Sequence, residues 1–370
     1  MKVSVLIPTH NRRQYVIDAI ESVIAQDFAD MEIVVVDDGS SDGTETALAP
    51  YLSRIRYIRT ANQGPALARN VGMQAAAGDY IAYLDSDDLY YPFKVRIQAA
   101  LLDAHPDIGM VYSNFSAFSD TGFWDEMHLA TYHESAYRRE GLDYDKLFSA
   151  RHPLRTSSAC SAGDHLALGP WLDRFVYFGD IYDAYLFNTI VFTNSMMLRR
   201  SILEKTGLQQ KQFGMFHDLE FALRVCKEAR VAFVDIPTYK LRYHPDQIST
   251  TRKPDGGRVA IRIQRDLLRV GRHHLQLDDE FYSRNRKRAD RQLARLCRAA
   301  AVPLLSYDAG TAHEGKYYPR RARRYLDKCR EYGQNESLLY VMTYAPHFVR
   351  RSLFKLMSIR SARTLRKASS

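Results

Sequence analysis

The sequence predicts an α/β protein in which a mainly parallel sheet is flanked by helices and followed by a basic, mainly helical C-terminal region. Short apolar runs alternate with stretches of helical spacing, as they do in parallel sheets. Two acidic clusters each follow one of those runs directly, and the charge changes sign along the chain. With 370 residues, of which 46% are hydrophobic and 26% charged, the chain has room for about two globular domains.

Regular elements are expected in order through the first 113 residues. Apolar, β-branched runs predict strands at 3–7, 32–36, 55–59, 80–84 and 108–112. Helical spacing predicts helices over 16–24 and 66–77, and another between the fourth and fifth strands. Parallel strands place their carboxyl ends at one edge of the sheet, where ligands bind in such folds.

The pattern is less regular in residues 119–188, which are rich in Tyr, Phe, His and Asp. We interpret this stretch as an insertion of loops and short helices. A regular apolar run returns at 189–192.

The C-terminal part of the chain is strongly basic. Residues 258–370 hold 26 Lys and Arg against 10 Asp and Glu, whereas residues 1–257 hold 26 against 33. The turn-rich stretch 250–257 lies between them and reads as a linker. The basic region fits either helices with a solvated Arg face or a surface for an anionic partner, and residues 348–365 resemble an interfacial helix.

Several common classes of protein are excluded or disfavoured. No apolar run approaches the roughly 20 residues of a membrane-spanning helix, and no secretory signal is visible. The four cysteines lack CxxC spacing, so we expect reduced thiols and a cytoplasmic protein. The sequence has no GxGxxG after the first strand, no Walker A sequence, no GxSxG and no HExxH.

The acidic clusters are the strongest chemical signal. Asp37 and Asp38 follow the second predicted strand, and Asp85, Asp87 and Asp88 follow the fourth. Carboxylates gathered at one edge of a sheet repel one another unless a positive charge compensates them. A divalent cation that bridges to phosphate oxygens is the common solution, although acidic loops also serve as turns and helix caps.

These motifs together resemble the nucleotide-sugar half of the family 2 glycosyltransferases, which have the Rossmann-like GT-A fold. The resemblance is carried in order by residues 3–11, 32–44, 62–64, 68–72 and 79–88. It runs through about residue 113 and continues more thinly from 189 to 249.

The resemblance implies a role for each matching position. The residues implied to bind the nucleotide-sugar are Pro8, Thr9, Asn11, Asp38, Gly64, Arg69, Asp85 and Ser86. Among these, Asp38 would accept from the ring N–H of the base, Arg69 would lie near the base or diphosphate, and Asp85 would approach the ribose. Asp87 would hold Mn²⁺ or Mg²⁺ on the diphosphate, and His244, in a segment like the family's closing loop, is either a second ligand or structural.

The catalytic base is expected in the segment 214–224. Asp218 matches the family's base, although it also suits a helix cap, and Glu220 is the second candidate. His217 stands where the family usually has an acidic residue.

We therefore expect a GT-A domain over 1–255, with a nucleotide-sugar half at 1–113 and an acceptor and catalytic half at 114–255. A basic, mainly helical region follows at 256–370. The implied reaction is inverting transfer of a single sugar from a nucleotide-diphosphate donor, UDP-linked by preference, to a hydroxyl of a glycan or glycolipid in cell-surface polysaccharide or lipopolysaccharide assembly. A QxxRW-type sequence, typical of processive synthases, is missing. The expected partners are the donor, the glycan or lipid-linked acceptor and an anionic membrane surface on the cytoplasmic side, but not nucleic acid.

The aromatic side chains of the insertion suggest stacking surfaces for the acceptor, or else an aromatic core. These are Phe123, Trp124, Tyr132, Tyr137, Tyr144, Trp171, Phe175, Tyr177, Phe178, Tyr182 and Tyr185. As alternatives for the whole chain, residues 80–87 also resemble the first motif of haloacid-dehalogenase-type phosphatases, and the basic region alone would suit a nucleic-acid-binding or membrane-binding protein.

Overall fold

The computed structural model describes residues 3–132, 142–160, 168–187, 190–247, 256–276, 279–306, 312–346 and 349–350. The chain divides into two compact units. Unit 1 comprises Met1–Gln212 and His217–His244, and unit 2 comprises Phe213–Phe216 and Pro245–Ser370. The predicted domain boundary at 255 and most of the predicted linker lie outside the described residues.

Unit 1 is built on one mixed sheet whose first half is parallel. Its strands there are β1 (Val3–Thr9), β2 (Met31–Asp37), β3 (Arg56–Arg59) and β4 (Tyr80–Tyr83). They lie in the order β3-β2-β1-β4, and every neighbouring pair is parallel. The central strands are buried on both faces, which is why they read as continuous apolar runs.

The second half of the sheet mixes directions. Its strands are β5 (Leu89–Tyr90), β6 (Ile108–Ser119), β7 (Trp124–Asp125), β8 (Ala150–Pro153), β9 (Phe175–Gly179), β10 (Met197–Arg199) and β11 (Arg230–Tyr243). The order continues β4-β10-β6-β11-β9-β8. Strand β10 is antiparallel to both β4 and β6, whereas β6 and β11 are parallel. The predicted mainly parallel sheet is confirmed.

Helices cover the sheet and join its strands. In unit 1 they are α1 (Arg13–Ile24), α2 (Thr44–Leu48), α3 (Pro65–Ala75), α4 (Lys94–Ala104), α5 (His128–Tyr132), α6 (Tyr144–Leu147), α7 (Tyr182–Phe187), α8 (Leu203–Thr206) and α9 (His217–Glu228). The buried positions of α1 are Val16, Ala19, Ile20 and Val23, at the helical spacing seen in the sequence.

The interpretation of residues 119–188 as loops and short helices was wrong in one respect. Strand β9 lies inside this stretch and pairs antiparallel with β11, and β8 pairs with β9 in turn. Strand β8 lies at the edge of the sheet and is exposed throughout, so it is held by backbone pairing with β9. Strand β9 is a buried apolar run, which the sequence pattern could have indicated. The part of the apolar run 189–192 that the structure describes, residues 190–192, is not in a strand, and the next strand is β10, at Met197–Arg199.

Unit 2 is helical, as expected. Its helices are α10 (Gly256–Gln276), α11 (Asp279–Ser306), α12 (Ala312–Glu331) and α13 (Ser337–Met342). Their core gathers Leu304 and Leu305 of α11, Leu326 of α12 and Met342 of α13. Arginines at positions 284, 288, 291, 295 and 298 all lie on the exposed face of α11.

The short segment Phe213–Phe216 belongs to unit 2. The N–H of Met215 donates to the buried carboxylate of Asp266 in α10, 3.2 Å away. Gly214 has φ of +61°, and a Cβ there would lie 2.0 Å from the Asp266 Oδ2, so only glycine fits. Across the described residues, every helix is too short or too polar to span a bilayer. The interfacial helix expected at 348–365 falls almost wholly outside them.

Candidate active site

A tight acidic turn lies at the carboxyl end of β4. The N–H of Asp88 donates to the carbonyl of Asp85 at 3.0 Å, which closes the turn Asp85–Asp88. Ser86 is buried within it, and Asp88 is almost fully buried. Asp88 accepts hydrogen bonds from the Asn194 side chain at 2.6 Å and from the Arg242 N–H at 2.8 Å. Asp88 therefore anchors the turn, and the less buried Asp85 and Asp87 are the carboxylates that can face a ligand.

Asp87 and His244 meet at one point, as the metal hypothesis requires. His244 Nε2 lies 3.0 Å from Asp87 Oδ2, and the Arg12 Nε lies 3.4 Å from the same oxygen. The His244 ring also contacts Tyr15, with ring centroids 4.7 Å apart. A carboxylate oxygen and an imidazole nitrogen are both ligands for Mn²⁺, and the carboxylate suits Mg²⁺, so the donor set fits a divalent cation.

Arg242 holds this corner of the site together. Its guanidinium lies 2.8 Å from Asp18 and 3.4 Å from Asp120, and its Nε donates to the Asp87 carbonyl at 3.1 Å. It also stacks over the rings of Tyr15 and Phe118. Because the Arg242 side chain binds the acidic turn and also Asp18 and Asp120, it fixes where Asp87 and His244 meet.

The carboxylates have opposite electrostatic environments. Burial and the neighbouring Asp87 and Asp218 raise the pKa of Asp85, which the Arg69 guanidinium opposes. Burial, Asp87 and Asp85 raise the pKa of Asp88 well above its usual range. Burial also acts to raise the pKa of Asp87, but the hydrogen bond with His244 and the charge of Arg12 outweigh it and lower that pKa. Of the three carboxylates, Asp87 is thus the one whose ionised form its surroundings favour, beside His244.

The acidic cluster after β2 organises a loop. Asp37 is fully buried and accepts from the Tyr57 hydroxyl and the Ser40 N–H, so it is structural. Asp38 accepts from the N–H groups of Gln63 and Gly64, at 2.9 and 2.7 Å. Gly64 precedes α3 with φ of +94°, a conformation that favours glycine. These bonds leave Asp38 unused acceptor capacity, so its predicted contact with a nucleotide base stays a prediction.

Two buried polar atoms near these loops lack partners among the described residues. They are Thr9 Oγ1, at the end of β1, and Arg69 Nε, on α3. The Arg69 guanidinium lies 2.5 Å from Asp85 through another nitrogen. A buried donor left without a partner is costly unless a ligand or water satisfies it. Both atoms belong to residues that the resemblance assigns to nucleotide-sugar binding.

The remaining predicted donor residues lie in the same region. Pro8 pairs in register with Val36 near the end of β1. Asn11 follows with φ of +51° and accepts from the Ser41 N–H at 2.8 Å, which ties the loops after β1 and β2 together.

Asp218 lies in the first turn of α9 and is half-buried. Its Oδ2 accepts from the Thr193 hydroxyl at 2.7 Å, and its Oδ1 accepts from the Leu219 N–H at 2.8 Å. Burial acts to raise the pKa of Asp218, but the charge of the nearby Arg69 and these hydrogen bonds lower it. Asp218 is therefore an ionised carboxylate within the electrostatic reach of Arg69 and Asp85, as a base on the acceptor side requires.

His217, the departure from the family pattern, is a buried neutral imidazole. Its Nδ1 lies 2.9 Å from the Gln209 Oε1, and burial lowers its pKa to about 4. Gln209 also exchanges two hydrogen bonds with the Asn70 side chain, at 2.9 Å each. His217 thus joins α9 to α3 through Gln209.

Glu220, the second candidate base, is engaged elsewhere. It is fully buried, and both of its oxygens pair with the Arg224 guanidinium, at 2.8 and 2.9 Å. Arg224 in turn donates to the carbonyls of Thr206 and Leu208. This arrangement favours a structural role for Glu220.

Replacing Glu220 with Gln should lower the free energy of unfolding by about 3 kcal/mol, because the half-buried Arg224 would lose its fully buried countercharge. Chemical denaturation of the purified variant measures this. Glu228→Gln, an exposed change at the end of the same helix, is the control and should have little effect. Unchanged stability in Glu220→Gln would show that the ion pair is dispensable.

Sequence reasoning missed three contributors to this site. Arg12 reaches Asp87, Asn194 binds Asp85 and Asp88, and Thr193 binds Asp218. A polar Thr-Asn pair that follows an apolar run was the only available signal for the last two, and no periodicity distinguishes it.

The aromatic side chains of residues 119–188 divide into two groups. Tyr177, Phe178 and Tyr185 are buried, and Tyr144 stacks on Phe233 in the core. Phe123, Trp124 and Tyr132 are exposed, by 44, 52 and 44%. Burial of the Tyr132 hydroxyl raises the pKa of Tyr132, and the nearby Asp218 carboxylate raises it further. Tyr137 lies outside the described residues.

Comparison with known proteins identifies the family. The sequence model of the family "Glycosyl transferase family 2" matches residues 4–206, more than half of the chain. An uncharacterized glycosyltransferase of Rickettsia felis is 48% identical over 104 residues, which are 28% of this chain and 17% of that protein. The chain therefore spans a small part of that relative's length. TuaG of Bacillus subtilis, a glycosyltransferase named for teichuronic acid biosynthesis, is 29% identical over 237 residues, 62% of this chain and 74% of TuaG.

A solved structure agrees in fold. The crystal structure of residues 1–349 of TarS from Staphylococcus aureus superposes with a TM-score of 0.55 at 17% identity, covering 95% of this chain and 88% of that one. The family match removes the support for a haloacid-dehalogenase-type phosphatase, whose motif was matched only at residues 80–87. The chain belongs to glycosyltransferase family 2 and has a GT-A-type fold.

Proposed function

We propose that this protein transfers a single sugar from a nucleotide-diphosphate donor, UDP-linked by preference, to a hydroxyl group of a glycan or glycolipid, with inversion at the anomeric carbon. The observation that carries the proposal is the position of Arg69, whose charge acts on both Asp85 and Asp218. The Arg69 guanidinium thus links the predicted donor side of the site, at Asp85, to the predicted base, Asp218.

The donor site rests on buried groups that need a partner. Arg69 Nε and Thr9 Oγ1 are the unpartnered atoms described above, and they suit the anionic diphosphate and a polar group of the nucleoside. Asp38 and Gly64 would line the base, and Asp85 and Ser86 the ribose and diphosphate.

Asp87 and His244 would hold the cation, Mn²⁺ or Mg²⁺. When bound, the ion supplies positive charge to the diphosphate as it departs. Arg12, whose Nε lies 3.4 Å from Asp87, adds positive charge at the same place. Arg242 keeps both predicted ligands in position through its bonds to the Asp87 carbonyl and the Asp88 carboxylate.

Asp218 would act as the general base. The acceptor oxygen forms a bond to the anomeric carbon while the bond from that carbon to the diphosphate oxygen breaks. The proton of the acceptor hydroxyl passes to the Asp218 carboxylate, and the electron pair of the broken bond leaves with the nucleoside diphosphate. A single displacement of this kind inverts the configuration.

Thermal unfolding with a panel of UDP-, GDP-, CDP- and dTDP-sugars, each with and without Mn²⁺, tests this function. A ligand that binds only the folded state raises the melting temperature, and a concentration of 100 times Kd adds about 2.7 kcal/mol. We expect a UDP-sugar to stabilise the protein in a Mn²⁺-dependent manner. If no activated sugar binds with or without the ion, the proposal fails.

The acceptor belongs to cell-surface polysaccharide in our proposal. The name of TuaG, which matches 62% of this chain, supports this class. The absence of a QxxRW-type sequence supports single additions over processive synthesis.

The exposed aromatic side chains Phe123, Trp124 and Tyr132 would stack on the acceptor, because Tyr132 lies near Asp218. Trp124→Ala should raise the acceptor KM about three- to tenfold, equivalent to roughly 1 kcal/mol of stacking, and leave donor affinity unchanged. Trp171→Phe is the control, since Trp171 packs edge-on against Tyr91 and Phe93. Equal changes in donor and acceptor constants would contradict the stacking role.

Unit 2 would contact the anionic cytoplasmic face of a membrane. Leu338 and Val341 of α13 and the following Tyr344 are exposed by 54, 65 and 65%. The Arg323 guanidinium lies 3.7 Å from the Tyr344 ring centroid, so apolar and basic groups share this surface. Val341→Asp should reduce flotation with vesicles containing phosphatidylglycerol. Equal flotation of the variant and the unchanged protein would contradict this contact.

A further inference from the structure

A single short turn touches both halves of the proposed site. The 3₁₀ turn Thr193–Ser195 precedes β10 and is buried. The Asn194 side chain donates to Asp85 at 3.3 Å and to Asp88 at 2.6 Å, and it accepts from the Asp85 N–H at 3.0 Å. The neighbouring Thr193 hydroxyl donates to Asp218 at 2.7 Å. Adjacent residues thus bind the predicted donor carboxylates and the predicted base.

The turn is itself fixed from the side of α4. The carbonyl of Ser195 accepts from Lys94 Nζ at 3.2 Å and from Gln98 Nε2 at 2.7 Å. Lys94 is fully buried, and its other hydrogen-bond partners are Gln98 and Thr238. Two buried donors on one carbonyl hold the end of the turn, so Thr193 and Asn194 project from a rigid base.

We propose that Thr193 and Asn194 are positioning residues that set the location of Asp218 relative to the acidic turn Asp85–Asp88. The inference rests on the proposed function, because it assigns no new reaction.

Physical reasons support a separate task for each residue. Asp85 and Asp88 repel each other, and the Asn194 amide donates to both, so its loss lets the acidic turn shift. Thr193 holds one oxygen of Asp218, and the Leu219 N–H holds the other. Loss of the Thr193 hydroxyl frees the carboxylate to rotate away from the acceptor. A misplacement of about 1 Å at a reacting group costs about 100-fold in rate.

Replacing Thr193 and replacing Asn194 should therefore have different effects on rate and on UDP affinity. The assay is UDP release from UDP-glucose, UDP-galactose and UDP-N-acetylglucosamine with water as the acceptor, together with calorimetry of UDP and Mn²⁺. Thr193→Val should bind UDP normally and hydrolyse the donor about 100-fold more slowly, and Thr193→Ser should restore the rate. Asn194→Ala should bind UDP about tenfold more weakly, because the acidic turn is no longer held.

The pH profile gives a readout that a merely structural role would not change. The Thr193 hydrogen bond contributes to the lowered pKa of Asp218, which also faces Arg69, Asp85, His217, Tyr132 and Tyr185. Removing the hydrogen bond raises that pKa, so the acid limb of kcat/KM should move to higher pH in Thr193→Val. Thr206→Val is the matched control, since the Thr206 hydroxyl donates to the carbonyl of Ile202. It should leave the limb in place.

The outcomes separate this inference from the proposed function. If UDP and Mn²⁺ do not bind the unchanged protein, the proposed function fails. If they bind and Thr193→Val keeps both its rate and its pH profile, the positioning role fails. A Thr193→Val protein that loses rate and UDP affinity equally would also overturn the separate tasks, provided that its melting temperature matches that of Thr206→Val.

Discussion

Replacement of Asp87 by Ala should abolish Mn²⁺-dependent donor binding and lower kcat/KM by about 1,000-fold, or roughly 4 kcal/mol of transition-state stabilisation. Asp87 is the carboxylate of the acidic turn whose pKa is lowered, whereas the pKa values of Asp85 and Asp88 are raised. Without it His244 loses its carboxylate partner at the predicted cation site. Calorimetric titration of UDP with and without Mn²⁺, followed by initial rates, measures both effects.

Folding should survive this change. Removing one of three neighbouring carboxylates relieves repulsion within the turn, and Asp88 keeps its bonds to Asn194 and Arg242. Asp107→Ala provides the control. Asp107 directly precedes the first residue of β6, away from the acidic turn, and forms an exposed ion pair with Arg230. Normal turnover in Asp87→Ala, or equal losses in both variants, would show that the cation assignment is wrong.

Asp218→Asn should bind the donor normally and lose about 1,000-fold in kcat. An amide has nearly the same shape as the carboxylate and can still accept from the Thr193 hydroxyl, but it cannot take the acceptor proton. General-base catalysis contributes about 100- to 10,000-fold, which sets the size of the loss. Single-turnover measurements at saturating donor separate this chemical step from binding.

The matched control for that variant is Asp183→Asn. Asp183 lies in the first turn of α7, as Asp218 does in α9, but it is exposed. It tests whether losing a helix-terminal charge alone affects turnover, an effect of roughly 0.3–1 kcal/mol on helix stability. An Asp218→Asn enzyme that binds poorly and turns over normally would assign the base role to another group.

The first half of the sheet could be predicted because its central strands are buried on both faces. Residues such as Val34, Val35 and Val36 have no solvent face, so the sequence shows an uninterrupted apolar run that ends at Asp37. The same feature led to the candidate site, because a polar cluster directly after such a run must lie at the carboxyl edge of the sheet.

The second half of the sheet could not be predicted for the opposite reason. Strand β10 has only three residues and β8 is exposed throughout, so neither shows a period. Their positions are determined by backbone pairing with strands that are distant in the chain, such as Met197 opposite Ala82. The local sequence pattern does not indicate such long-range strand pairing.

The residues of the candidate site divide in the same way, into those that belong to local sequence motifs and those that are placed by contacts distant in the chain. Asp85, Asp87 and Asp218 belong to ordered motifs and could be named from the sequence. Asn194 could not, because its importance comes from contacts with residues more than 100 positions earlier. Asp38 shows that a motif residue can also have an unforeseen structural role, since it organises the Gln63–Gly64 backbone.

Strand β10 has a consequence for the order of assembly. Strands β4 and β6 are synthesised early but do not pair with each other, since β10 lies between them. Until residue 199 has left the ribosome, both therefore expose unsatisfied backbone edges that could recruit another nascent chain. Insertion of β10 closes this gap and delivers the preceding Asn194 to the acidic turn. A chain arrested before this point should aggregate and be inactive, because it lacks both the strand that joins β4 to β6 and the Asn194 that holds the acidic turn.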